Sequence, residues 1–493
     1  MSPCPVIPNA NTPATSSGAP EAVNDPPLPA VPRDPRGQKL APALSTGPGH
    51  VKETRFGNNE AAPSFLRLGN VAMAEARKGQ RATQPTRGAL WIIANVLSLP
   101  PLYAYWTLSN LFPSWRTLPS WTLRRAVDIK FIRRVMGIAF EANGLTQPDM
   151  QHEPTERERA ELKSKYGARY VWMEGVDLKE VGEPVRGWAD AAGVESARVP
   201  AYWVGEEVES AGRRAYSSSE EGHAERSGKA KVMLFFHGGC YITGGAHPSE
   251  FTSFAPINSL RHSLTLCATL SVEYRLSSGF PNPARNPFPA ALLDAITSFR
   301  YLLSLGFKPH EILVCGDSAG GNLAVALVRY LVEVDGAGSG LGGLVLLSPW
   351  VDLSHSHEGP ESSLVRNYET DYFLPSMTDY GGDVYCDKMS PRNPWISPAA
   401  KAPVASVTPN GVAEEDLQEA HFHNWPRTLL IPGGREMLLD ESRTLRERME
   451  PDGVPLVYKE WPDAPHEMFC MWFMEPDRTE GIKFVCRWID GQE

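Results

Sequence analysis

Gly316-Asp317-Ser318-Ala319-Gly320 follows an apolar run at 312–315 and precedes a helical pattern starting at Ala319. A serine held between glycines at a strand-to-helix turn is a nucleophile elbow. The turn is sharp, so the residues around the serine must lack bulk, and its hydroxyl is lifted above the sheet. The helix that follows aims its N-terminus at the same point. The Ala319 amide would therefore face the oxygen of a carbonyl attacked by Ser318. Upstream, His237-Gly238-Gly239-Cys240 follows the apolar run at 231–236. A glycine turn there exposes the amides of Gly238, Gly239 and Cys240 as the other half of an oxyanion hole. Read alone, the four residues make an ordinary turn with a structural histidine. Their place ahead of the elbow favours the hole.

The serine needs a base, and the base an acid, in the chain order Ser, Asp/Glu, His. His466 is the last histidine and sits in a loop after a strand-like run at 456–461. Another run, at 428–431, leads into Pro432-Gly433-Gly434-Arg435-Glu436, with Asp440 one helical turn further on. Glu436 and Asp440 are the two candidate acids, and Asp440 suits a helix N-terminus. The acid would hold the Nδ1 proton so that Nε2 faces Ser318. Asp317, Asp294 and Gly244 read as loop anchors. Cys240 lacks a base in sequence context and is not a nucleophile candidate. His421 and His423 have no carboxylate or cysteine spaced to complete a metal site, so neither metal nor cofactor is expected.

Further blocks accompany these two: HGGCYITGG at 237–245, YRLSS at 274–278, FPAALLDA at 288–295, GDSAGGNLA at 316–324, LLSPWVDLS at 346–354 and ISP at 396–398. In spacing and order they resemble the hormone-sensitive-lipase-like esterases (the GDXG family), most of all their fungal members, over residues 200–493. The resemblance implies an α/β-hydrolase fold, a lid formed largely by N-terminal helices, and cofactor-free hydrolysis of carboxylic esters. It places the acid at Glu436. Two residues depart from the family pattern. Cys240 stands where a third glycine is usual, which keeps the amide and adds a side chain to the pocket. Glu436 stands where many relatives carry aspartate, which changes reach and not role. A ligand receptor without catalysis, and a lactonase or amidase using the same triad, are the alternatives. Some receptor relatives lack the histidine that is present here.

The 493 residues carry a net charge of −10, which argues against nucleic acid as a partner. Hydrophobic residues make up 42%, enough for a large core beside appendages. Seven cysteines form no CxxC pair and read as reduced thiols of an intracellular protein. Residues 1–30 are broken by Pro3, Pro5, Pro8 and Pro13 and do not read as a signal peptide. Residues 1–60 are rich in Pro, Ala, Ser and Gly and are expected to be disordered. Residues 61–195 read as a helical lid or membrane-contact region, and 196–493 as the catalytic domain.

Within the second segment, 88–115 is uncharged and long enough to span a bilayer, with Pro100-Pro101 in its middle. It reads either as a hairpin or interfacial anchor, or as two short helices packed on the catalytic domain. A basic helix is expected over 121–140, capped by Ser120. Its apolar positions are Leu123, Val127, Phe131 and Val135, and its basic face reads as lipid-facing or, more often, simply solvated. From 195 onward strands alternate with helices, which demands a mostly parallel sheet with helices on both faces. The polar stretch 401–424 reads as a surface loop. The expected partner is a small-molecule ester, with contact to a membrane through 88–115. The expected location is the cytoplasm or an internal membrane such as the endoplasmic reticulum. Oligomeric state stays open.

Overall fold

A computed structural model of the chain describes residues 86–145, 147–205, 231–401 and 419–493. The expected disordered tail and most of the 401–424 loop lie outside the described residues, as does Cys4. Among the described residues one sheet has eight strands: β1 Ala168–Met173, β2 Val199–Gly205, β3 Lys231–Phe236, β4 Leu266–Val272, β5 Ile312–Asp317, β6 Gly343–Leu347, β7 Thr428–Ile431 and β8 Leu456–Tyr458. Their order is β1-β2-β4-β3-β5-β6-β7-β8. The pairs β1/β2 and β2/β4 are antiparallel, and every pair from β4 to β8 is parallel.

The parallel strands are apolar because both faces are covered. Every residue of β4, β5 and β6 is buried. The covering helices include Ala290–Ser304 and Ala319–Glu333, whose buried faces carry Leu292, Ile296, Phe299, Leu323 and Leu327. The sheet reaches further upstream than a boundary at 196, because β1 pairs with β2 and adds an antiparallel edge. Most of β1 is half-buried. An edge strand covered on one side has no continuous apolar run to announce it.

The segment at 88–115 forms one helix, Ala89–Ser109, that runs straight through Pro100 and Pro101. It is neither a hairpin nor a pair of short helices. Proline's φ is helical, and the carbonyls that lose a donor belong to Val96 and Leu97, which are exposed and open to solvent. Tyr103 ties one side of this helix to the helix Leu123–Glu141. Its hydroxyl donates to Asp128 Oδ1 at 2.9 Å, and its ring meets Phe131 edge-on. Leu90, Ile93, Leu97, Tyr105 and Leu108 are exposed.

Helix Leu123–Glu141 is capped by Thr122 and not Ser120, with the Arg125 amide donating to the Thr122 hydroxyl at 3.1 Å. Its basic residues are mostly docked inward, neither solvated nor free for lipid. Arg125 pairs with Asp477 at 2.9 Å. Arg133 donates to the Asp371 carbonyl and stacks on Tyr368. The six described cysteines are buried, and none forms a disulfide.

Candidate active site

Ser318 crowns β5 with φ 51° and ψ −119°, a strained conformation for a residue with a side chain. The strain is held by its neighbours. The Ser318 amide donates to the Leu347 carbonyl, and the Ser318 carbonyl accepts from Trp350 and Asn322. A Cβ on Gly316 would lie 2.1 Å from the Gly320 carbonyl, and one on Gly320 2.0 Å from the Phe236 carbonyl. Both positions therefore require glycine.

The loops after β7 and β8 are zipped to each other. Gly434 donates to the Trp461 carbonyl at 2.8 Å and Arg435 to the Ala464 carbonyl at 2.9 Å. This brings Glu436 beside His466. His466 Nδ1 lies 3.3 Å from Glu436 Oε2, and Nε2 lies 3.0 Å from Ser318 Oγ. All three side chains are withdrawn from water, Glu436 completely. Asp440 is engaged elsewhere: it accepts from the Ser363 amide at 2.7 Å and pairs with Arg366 at 2.9 Å. Burial alone would lower the His466 pKa. The Glu436 hydrogen bond and the negative charges of Glu467, Glu436 and Asp371 outweigh it and hold the imidazole up at about 9. Burial raises the Glu436 carboxyl, and its contact with His466 works against that.

The glycine turn after β3 is pressed against the elbow. Gly239 has φ 120° and Cys240 φ 54°. A Cβ on Gly239 would lie 2.1 Å from the Thr243 carbonyl, and one on Gly238 3.1 Å from Ser318 Cβ. Gly238, Gly239 and Cys240 line the cavity beside Ser318, and Ala319 follows the serine in sequence. The Cys240 thiol is pushed up to about 12 by burial and then by Glu467, so it stays protonated. His237 is structural: it is fully buried, stacks on Tyr274, and its Nδ1 meets the Gly238 carbonyl at 2.7 Å. Asp294 anchors its loop through the Arg275 amide and guanidinium.

A cavity of about 330 Å³ opens beside Ser318 and His466. Its apolar lining includes Met136, Leu145, Phe373, Met377 and Leu438. Met136 comes from helix Leu123–Glu141, so the N-terminal region contributes to the cavity wall. Tyr202, His247, Glu250 and Glu273 also line it. Burial raises the Glu273 carboxyl to about 8 and shifts Glu250 upward as well. Among the described residues no lysine or arginine lines the cavity.

Several residues at the site have no local signal in the sequence. Asp371 accepts the His466 amide at 3.1 Å and the Met437 amide at 2.7 Å, fixing both loops from a segment 95 residues before the histidine. Ser348 accepts the Glu467 amide at 3.2 Å. Spacing also hides Asp452, which lies 3.8 Å from His421 and 3.5 Å from His423. These two histidines do have a carboxylate neighbour, in an exposed cluster apart from the catalytic cavity.

Residues 233–470 match the family model described as alpha/beta hydrolase fold. An acetyl-hydrolase of Streptomyces hygroscopicus is 30% identical over 258 residues, spanning 52% of this chain and 73% of that protein. The chain belongs to the hormone-sensitive-lipase-like family of α/β-hydrolases. Esterase LipU of Mycobacterium tuberculosis is 27% identical over 53% of this chain and 78% of its own length. The versiconal hemiacetal acetate esterase of Aspergillus parasiticus is 26% identical over 54% of this chain and 77% of its own. As a member of this family the protein is a carboxylic ester hydrolase. The matched segment begins inside β3, so the helices at 89–141 and the antiparallel edge lie upstream of it.

Proposed function

We propose that this esterase hydrolyses neutral, lipophilic esters through an acyl-enzyme on Ser318. The observation that carries the reading is the buried chain of contacts from Ser318 Oγ to His466 Nε2 and from Nδ1 to Glu436. Ser318 Oγ attacks the carbonyl carbon while its proton moves to Nε2. The negative charge on the carbonyl oxygen is met by the amides of Gly238, Gly239, Cys240 and Ala319. The tetrahedral centre collapses, the Nε2 proton passes to the leaving alcohol, and an ester to Ser318 remains. Water then gives a proton to His466 and its oxygen to the acyl carbon, and the return of that proton to Oγ frees the acid.

The cavity supports the substrate class. Its apolar lining suits a lipophilic body, and Glu250 and Glu273 in that lining suit hydroxyl donors and disfavour anions. Acetylated sterols and esters of secondary metabolites are of this type, and two relatives bear an acetyl or acetate substrate in their names. The exposed apolar side of helix Ala89–Ser109 supports contact with a membrane, such as that of the endoplasmic reticulum.

The test is hydrolysis of p-nitrophenyl esters from acetate to decanoate by wild type and Ser318→Ala, with p-nitrophenyl hemisuccinate beside the butyrate. Turnover lost in the folded variant, and at least about tenfold poorer kcat/KM for the anionic ester, are expected. Turnover retained without Ser318 overturns the mechanism. Equal use of the two esters overturns the substrate class.

A further inference from the structure

The residue next to the base in sequence reaches the opposite edge of its ring. Glu467 adopts φ 48° and ψ 48°, a left-handed conformation unusual for a residue with a side chain. The bend sends its carboxyl inward, where it is 3% exposed. Oε1 lies 3.8 Å from His466 Nε2, whereas Glu436 occupies the Nδ1 edge. Oε2 accepts from the Tyr372 hydroxyl at 2.9 Å. Oε1 has no conventional donor, and neither does Asp317 Oδ1 nearby. One polar atom each of Asp317, Glu467 and Cys470 lies within 4.8 Å of the others. Burial and the charge of Glu467 push the Asp317 carboxyl well above the usual carboxylate range. A Cβ on Gly238 would lie 2.3 Å from Glu467 Oε1, so the carboxyl fits there because residue 238 is glycine.

We propose that Glu467 is a positioning residue for the base, its carboxylate steadying the Nε2 edge of the His466 imidazolium formed when Ser318 gives up its proton. The proposal rests on the reading of Ser318 and His466 as nucleophile and base. The imidazolium is then flanked by carboxylates on both nitrogens. The proton from Ser318 stays on Nε2 until the leaving alcohol receives it. The groups facing His466 are Ser318, Asp371, Tyr372, Phe373, Glu436 and Glu467. Those facing Glu467 are His466, Asp317, Tyr372, Cys240 and Cys470. Within this set, replacing Glu467 by glutamine removes one charge and little volume.

The test is the pH dependence of kcat/KM for p-nitrophenyl acetate in wild type, Glu467→Gln, Glu467→Asp and Ser318→Ala. The ascending limb should move to lower pH by roughly 1–3 units in Glu467→Gln, the effect of losing one nearby opposite charge. It should move by less in Glu467→Asp, which keeps the charge on a shorter arm. Thermal melts identify a variant that does not fold. If the glutamine variant is lost in this way, the aspartate limb decides. An unmoved limb in a folded variant, beside an inactive Ser318→Ala, overturns the role of Glu467 alone. Activity retained by Ser318→Ala overturns the nucleophile reading and this proposal with it.

Discussion

Trp121 Nε1 donates to the Asp463 carbonyl at 2.8 Å, three residues before the histidine that faces Ser318. The indole is 1% exposed. A segment upstream of the family match therefore braces the loop that carries His466. Arg125 adds a second tie further along, through Asp477. The N-terminal helices pack in the same folded unit as the loop that carries His466.

Trp121→Phe should keep the ring packing and lose the hydrogen bond, costing about 1–2 kcal/mol. Trp121→Ala should cost about 3–5 kcal/mol, because it also opens a cavity. Melting temperatures and kcat of the two variants check this. Wild-type values in Trp121→Ala would show that the loop stands without its brace.

Glu436→Gln should lower kcat by on the order of 10³–10⁴-fold with little change in fold, because the imidazole loses the partner that sets its tautomer. Asp440→Asn should leave kcat within about twofold and cost about 1 kcal/mol, from the lost Arg366 pair and weaker contact with the Ser363 amide. Steady-state rates and denaturant midpoints separate the two. The opposite ranking would make Asp440 the acid.

The base accepts the serine proton only when neutral, and its pKa lies above the ordinary 6.5, at about 9. Raising the pH through that value frees the base, so kcat/KM should rise with pH. The rise should have its midpoint on the alkaline side of 6.5 and fall about tenfold per unit below it. A pH–rate profile with p-nitrophenyl acetate, corrected for its spontaneous hydrolysis at alkaline pH, measures it. A midpoint at or below 6.5 would mean that the neighbouring carboxylates do not hold the proton on His466.

Leu97 and Leu108 are 70% and 68% exposed on helix Ala89–Ser109. Changing both to glutamate should leave stability within about 1 kcal/mol and leave turnover of a water-soluble ester unaltered. Wild type should float with phosphatidylcholine–phosphatidylserine vesicles, and the double variant should stay at the bottom of the gradient. Wild type that fails to float removes the membrane contact.

Some of this was legible because it is local. The elbow at Ser318 and the turn at Gly238–Cys240 depend on a few consecutive residues, since backbone strain and side-chain bulk act over that range. The parallel strands announce themselves through apolar runs, because burial on both faces imposes one composition along the whole strand. Chain order pointed to His466 as base and left Glu436 and Asp440 as acids, and the family resemblance favoured Glu436.

What tertiary structure decided concerns residues far apart along the chain. Asp371 reaches His466 across 95 positions, and Trp121 reaches Asp463 across 342. Such contacts depend on strand register and loop docking, which leave no periodicity near either partner. The half-buried β1 and the inward turn of Glu467 follow the same logic. Each is set by what packs against the segment, whereas the serine turn and the buried strands are set by what the segment must bury or bend by itself.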